Sequence, residues 1–158
     1  MTSTLPLAGF GALYERHFET VFRAALRVTG NAADAEDVVQ TVFLRLLTRG
    51  DEAATLPAAY FKRAAVNAAG DVLRRREHRA ESAYDDVSQP AVEPPGLLKE
   101  RLRRAVATLD SDDASLFLLR HVEGLTIDEL AGMFEIEKNN VAVRLHRIRR
   151  RLQTELER

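Results

Sequence analysis

The chain has 158 residues, of which 46% are hydrophobic and 30% charged, and its formal net charge is −1. This length suits one ordinary domain or two small ones, and the composition is that of a globular protein. The absence of cysteine excludes disulfides and thiolate metal sites. Because no long apolar run and no leader-like N-terminus are apparent, we expect a cytoplasmic protein without a membrane span.

Basic and acidic residues are unevenly distributed along the chain. Lysine and arginine concentrate at 62–79 and 138–151, whereas aspartate and glutamate gather at 34–37 and 81–93. Since the total charge does not favour phosphate, the chain alone should bind DNA weakly. We therefore expect a partner that presents the basic faces.

Two amphipathic helices are predicted near the N-terminus. Apolar periodicity indicates a helix over about 10–29, which Gly30 and Asn31 end, and a second helix over about 32–48. The acidic first turn of the second helix suits the positive end of its dipole. No histidine or further carboxylate is spaced to complete a metal site there, so no metal is predicted.

The next predicted helix, over about 57–79, carries two faces. Apolar residues including Phe61 and Val72 form a buried face. The other face combines an aromatic ring, an amide and two guanidiniums, which are suited to stacking and hydrogen bonding with an unpaired base. From periodicity alone, a solvent-facing polar strip is an equal alternative. The strip consists of Tyr60, Arg63, Asn67 and Arg74, with Asp71 alongside.

Residues 80–96 lack helical periodicity and collect three prolines and a glycine among acidic residues, which is typical of a linker. Helical periodicity resumes over about 97–109, with Leu98 on the predicted apolar face. Ser111 is a candidate cap for the helix that follows.

The stretch from Thr126 to Leu152 predicts two short helices joined by a tight turn. Thr126 and Glu129 form a capping-box pattern at the start of the first helix. In the second, an apolar stripe and a flank of arginine and asparagine lie on different sides, as reading a major groove requires. The alternative is a solvated face of an ordinary surface helix. The stripe comprises Val141, Leu145, Ile148 and Leu152; the flank comprises Asn140, Arg144, Arg147 and Arg151.

Three segments, in this order, resemble bacterial RNA polymerase sigma factors of the extracytoplasmic-function (ECF) type, within the sigma-70 family. They are DAEDVVQTVFLRLL, YFKRAAVNAAGDVLRRR and the stretch from ATLDSDD to RIRRRL. The resemblance implies an all-α fold of two small helical domains. These are sigma region 2 over 1–79 and sigma region 4, with its helix-turn-helix, over 97–158, joined by a flexible acidic linker over 80–96.

The resemblance also implies partners and site residues for the first domain. The partners are promoter DNA and core RNA polymerase, through the clamp helices of its largest subunit and the flap of its second-largest subunit. The family commonly has an anti-sigma partner as well, and we expect no cofactor for this chain. Docking on the clamp helices is expected from Asp34, Asp37, Val38 and Gln40. Minus-ten recognition is expected from Tyr60, Arg63, Asn67, Arg74 and Arg75, with Asn67 in the pocket that captures a flipped base.

For the second domain, the resemblance implies that the last helix enters the major groove of the minus-thirty-five element. The chain departs from the family pattern at Ala142 and Val143, where a polar pair is common. It departs again at Glu135, which is usually glycine, and at Glu137, which is usually a better cap. The residues expected to contact this element are Lys138, Asn139, Asn140, Arg144, Arg147 and Arg151.

Two other classes of function remain open from the sequence. A stand-alone helix-turn-helix regulator would bind duplex DNA as a dimer, but residues 1–80 show no obvious heptad or ligand-pocket pattern. An enzyme is disfavoured, because the four histidines lack metal-ligand spacing and no nucleophile elbow or phosphate loop occurs.

Overall fold

The computed structural model of the protein describes residues 7–49, 53, 55–82 and 97–158. These residues form seven helices and no strand, which confirms the all-α prediction. None of the described helices is both long and apolar enough to cross a membrane. The helices are α1 (Leu7–Thr29), α2 (Ala32–Leu47), α3 (Ala58–Ser82), α4 (Leu97–Ala107), α5 (Ser111–His121), α6 (Ile127–Phe134) and α7 (Lys138–Leu156).

Helices α1, α2 and α3 pack on one another and form the N-terminal bundle. Phe61, on the predicted apolar face of α3, is fully buried, and the imidazole of His17 stacks on its ring with centroids 3.7 Å apart. Burial, together with the nearby Arg16 guanidinium, lowers the pKa of His17. The neutral imidazole therefore serves here as part of the core.

The junction between α1 and α2 is closed by local hydrogen bonds and by two arginines from other helices. Gly30 adopts a φ of 67°, and the Asn31 side chain caps α2 by accepting from the backbone of Asp34 at 3.1 Å. Arg76 of α3 donates to the carbonyl of Thr29 at 2.9 Å. Arg103 of α4 donates to the carbonyl of Val28 at 2.8 Å. The end of α1 is thus held by both α3 and α4.

Helices α4 to α7 form the C-terminal bundle, in which α7 packs against α4, α5 and α6. The predicted capping box is present: Thr126 accepts from the backbone of Glu129, whose carboxylate accepts from the backbone of Thr126, each at 3.1 Å. These hydrogen bonds, the one from the Thr126 backbone foremost, lower the pKa of the Glu129 carboxyl. The predicted stripe on α7 is buried along its whole length, from Val141 to Leu152.

The turn between α6 and α7 carries two residues with poor local preferences. Glu135 has a left-handed φ of 56°, a conformation that costs a residue with a Cβ about 1–2 kcal/mol and that glycine adopts freely. Glu137 occupies the N-cap of α7 without a side-chain hydrogen bond to the helix. Both positions match the departures from the family pattern noted in the sequence.

Two local predictions were wrong. Asp110, not Ser111, caps α5, because its carboxylate accepts from the backbone of Asp113 at 2.8 Å and Ser111 lies in the first helical turn. Leu98 does not face the core: it is 65% exposed, since it lies in the first turn of α4, beyond the packed part of the helix. Helix α3 continues to Ser82, and the rest of the predicted linker, from 83 to 96, lies outside the described residues.

Candidate nucleic-acid interface

The four residues of the predicted polar strip lie along one side of α3 and are only partly exposed. We refer to Tyr60, Arg63, Asn67 and Arg74 as the α3 strip. Its two middle residues, Arg63 and Asn67, do not face open solvent, because they contact α6 and α5 of the C-terminal bundle. The strip therefore borders the interface between the two bundles.

Arg63 is bound by the C-terminal end of α6, just before the turn of the predicted helix-turn-helix. Its guanidinium donates to the carbonyl of Met133 at 2.9 Å. The same group stacks over the ring of Phe134, with its central carbon 4.3 Å from the ring centroid. A cation–π contact and a hydrogen bond together hold this arginine on α6.

Asn67, the predicted base-capturing residue, accepts a hydrogen bond from the hydroxyl of Ser115 on α5. Ser115 is buried, so this hydrogen bond also satisfies a polar group that would otherwise be costly to bury. Ser115 was not predicted to belong to the site. Its only signal was a serine among apolar residues in the middle of a helix.

The two ends of the α3 strip have partners within the N-terminal bundle. The guanidinium of Arg49 lies over the ring of Tyr60, 5.0 Å from its centroid. Arg74 forms an ion pair with Asp71, while its other terminal nitrogen is buried without a hydrogen-bond partner in the described part of the chain. These contacts position an aromatic ring and a cation without covering them from the C-terminal side.

The residues predicted to dock on polymerase lie along a groove between α2 and α3. Asp34, Asp37 and Gln40 line one wall, and Arg75 is on the opposite wall, in an open volume of about 800 Å³. Asp34 is paired with Arg76. The side chain of Val38 is buried in the core, so it supports this wall from behind and does not reach its surface.

The outer face of α7 differs from the α3 strip because no other described part of the chain covers it. It lies opposite the buried stripe. Within the described residues, the side chains of its two asparagines and two arginines form no hydrogen bond or ion pair. The outer face consists of Asn139, Asn140, Val143, His146, Arg147 and Arg150, all exposed.

The remaining predicted contacts of α7 are tied to neighbouring elements. Lys138 pairs with Asp128 of α6 at 2.8 Å on the surface. Arg144 donates twice to the carboxylate of Asp113 on α5, at 2.8 and 3.2 Å. Arg151 donates to the carbonyl of Thr108 at 3.1 Å. Arg144 was predicted to lie beside Arg147, whereas its guanidinium lies on the flank towards α5.

An ion pair also joins the two bundles. Arg27 of α1 donates to both carboxylate oxygens of Glu123, which follows α5, at 2.8 and 3.1 Å. The side chain of Glu123 is only 2% exposed, whereas that of Arg27 is half exposed. Removing Arg27 would leave a carboxylate buried without its counterion, which is costly.

Comparison with known proteins matches the chain to two family models. The model described as Sigma-70 region 2 matches residues 13–79, and the one described as Sigma-70, region 4 matches residues 99–152. The first falls on the N-terminal bundle and the second on the C-terminal bundle. Together they leave the linker unmatched.

Curated relatives match most of the chain. RNA polymerase sigma factor CarQ of Myxococcus xanthus is 32% identical over 145 residues, covering 87% of this chain and 83% of CarQ. ECF RNA polymerase sigma factor SigL of Mycobacterium tuberculosis is 29% identical over 144 residues, covering 85% and 81% respectively. ECF RNA polymerase sigma factor SigE of Mycolicibacterium smegmatis is 28% identical over 151 residues, which are 89% of this chain but 58% of SigE.

Proposed function

The chain belongs to the sigma-70 family of bacterial RNA polymerase sigma factors, as a member of the ECF type, and from that premise we propose that it directs core polymerase to a subset of promoters and helps to open them. Its role is that of a DNA-binding initiation factor, and the polymerase supplies the chemistry. Region 2 would recognise the minus-ten element and region 4 the minus-thirty-five element. The domain limits that we propose are 1–79 and 97–158.

The observation that carries this proposal is the uncovered outer face of α7 behind a capped partner helix. Its buried stripe fixes α7 on the C-terminal bundle, while Asn139, Asn140 and Arg147 project from the opposite side. Amide and guanidinium groups on a protruding helix can pair with adenine and guanine edges in a major groove. This geometry supports reading of the minus-thirty-five element.

The groove between α2 and α3 supports docking on the clamp helices of the largest subunit. Its α2 wall offers the carboxylates of Asp34 and Asp37 and the amide of Gln40, with the exposed apolar side chain of Leu44 beside them. Acidic groups around an apolar contact suit a partner helix that carries basic residues. The C-terminal bundle would contact the flap of the second-largest subunit.

The α3 strip supports capture of an unpaired base, but only after the two bundles separate. While the two bundles are in contact, which we call the closed arrangement, Ser115 donates a hydrogen bond to the Asn67 side chain and the end of α6 binds Arg63. We propose that core polymerase holds the bundles apart and so frees both groups for the promoter strand. An anti-sigma partner would have the opposite effect, because it would keep the two bundles from binding the polymerase.

A run-off transcription assay tests the proposal. The purified chain is combined with core polymerase and fragmented genomic DNA, and transcripts are compared with those from core polymerase alone. Discrete new start sites are expected only in the combination. Failure of the chain to associate with core polymerase would refute the proposal, and protection of a palindromic duplex by the chain alone would favour the dimeric regulator.

A further inference from the structure

An apolar side chain stands in the middle of the outer face of α7. Val143 is 46% exposed, although the stripe from Val141 to Leu152 already supplies the packing surface of this helix. At 100° per residue, Val143 projects almost directly opposite that stripe. No packing role within the C-terminal bundle therefore explains it.

The neighbours of Val143 indicate what kind of partner would cover it. Asn139 lies one turn before it and Arg147 one turn after it, on the same row of the helix, and both are exposed. Arg150 is exposed on the same face. This face therefore presents an amide, the two methyl groups of Val143 and two guanidiniums. It fits a partner that is anionic, carries many hydrogen-bond donors and acceptors, and has one apolar group.

Duplex DNA offers that combination in its major groove. Phosphates supply the charge, and base edges supply donors and acceptors. The C5-methyl group of thymine is the apolar feature that a small aliphatic side chain can contact. Valine suits this contact because branching at Cβ restricts its χ1 and holds both methyl groups in a fixed direction.

A single exposed apolar residue is ordinary on a protein surface. Val143 differs through its place at the centre of the protruding helix face and through the amide and guanidinium one turn away on either side. A protein partner would also cover an apolar residue. The arginines and asparagines around it favour a polyanion over an apolar protein surface, which would leave these groups unpaired.

We propose that Val143 is a specificity-determining residue that reads the 5-methyl group of a thymine in the duplex element bound by α7. This inference rests on the proposed function. It assigns to the α7 site a preference for a thymine methyl group, which the polar residues alone do not provide. Burial of one methyl group corresponds to about a fourfold gain in affinity.

The experiment uses holoenzyme reconstituted from the full chain and core polymerase. Binding-site selection from a randomised duplex library first identifies the upstream element. Each thymine of that element is then replaced by deoxyuridine, which removes only the methyl group. One replacement should weaken wild-type binding about fourfold, and Val143→Ala should bind the thymine and deoxyuridine duplexes equally.

Arg147→Ala serves as the matched control, because it should weaken binding and still distinguish thymine from deoxyuridine. Circular dichroism checks that the Val143→Ala protein is folded, as expected for an exposed position. The assignment is overturned if the selected element has no thymine, if wild-type binding ignores every deoxyuridine, or if Val143→Ala keeps the wild-type ratio. A holoenzyme that selects no element at all overturns the proposed function as well.

Discussion

The α3 strip and the outer face of α7 both combine amide and guanidinium groups, but they differ in their contacts with the rest of the described chain. On the strip, Arg63 and Asn67 are engaged by the C-terminal bundle. On α7, the corresponding groups project away from both bundles. In the free chain, the outer face of α7, which suits duplex DNA, is exposed to solvent. On the α3 strip, which suits an unpaired base, Arg63 and Asn67 are already bound to the C-terminal bundle.

This contrast separates two events in promoter recognition. Under the proposed function, contact with a duplex would require no rearrangement of the chain, whereas capture of a base would require the interface between the bundles to open. A protein built in this way can approach promoter DNA without disturbing its strands. Strand opening would then depend on the partner that separates the two bundles.

The largest expected effect comes from preventing that separation. Because the chain has no cysteine, the double variant Arg27→Cys/Glu123→Cys carries reactive thiols only at the two sides of the ion pair between the bundles. A short bis-maleimide should join them. Run-off transcription with core polymerase should then fall to background, since the α3 strip stays covered.

The same double variant capped with a monofunctional maleimide is the control for this cross-link. It carries the same substitutions and a similar modification but leaves the bundles untethered, so it should remain active. Equal transcription from the tethered and the capped proteins would show that promoter opening does not need the bundles to part.

A smaller effect is expected from removing the Asn67 amide. Asn67→Ala should slow promoter opening, measured by permanganate footprinting, by the order of tenfold and leave gel-shift binding of duplex nearly unchanged. The substitution also removes the acceptor for Ser115 and so weakens the closed arrangement. A loss of opening therefore could not arise from tighter closure.

Ser115→Ala is the matched variant for Asn67→Ala. It breaks the same hydrogen bond from the other side and spares the amide, so opening should be unchanged or faster than in the wild type. A parallel loss in both variants would assign the hydrogen bond a purely structural role. Equal losses of duplex binding and opening in Asn67→Ala would count against base capture.

The outer face of α7 is tested by comparing two arginines one turn apart. Arg147→Ala should weaken duplex binding by about 1–3 kcal/mol if its guanidinium contacts a base. Arg144→Ala should affect binding less, because that guanidinium is bound to Asp113, and should instead lower the thermal midpoint. Gel-shift titration and thermal unfolding measure the two effects; equal loss of binding would place both guanidiniums in the groove.

Periodicity and capping patterns were sufficient to predict most of the helices. The stripe on α7 and the capping box at Thr126 are present as expected, because both depend on residues only three or four positions apart. The prediction that Ser111 caps α5 was wrong, and the reason is also local. Asp110 precedes it, and aspartate caps a helix as well as serine does.

Contacts between the bundles could not be read from the sequence. The hydrogen bond from Ser115 to Asn67 joins residues 48 positions apart, and the one from Arg63 to Met133 joins residues 70 apart. No local pattern links such pairs, since their meeting depends on how two finished bundles fit together. The sequence pattern was therefore sufficient to place the residues of the α3 strip on one side of the helix. It could not predict that Arg63 and Asn67 would contact the C-terminal bundle.

The arginines at the end of α1 have a consequence for regulation. Arg76 joins the predicted docking carboxylate of Asp34 to the carbonyl of Thr29, and Arg103 holds the carbonyl of Val28 from the other bundle. Thermodynamic coupling is reciprocal, so if docking weakens the Arg103 contact, loosening that contact must strengthen docking by the same factor. Substitutions that loosen the Arg103 contact would then be expected to strengthen docking on core polymerase.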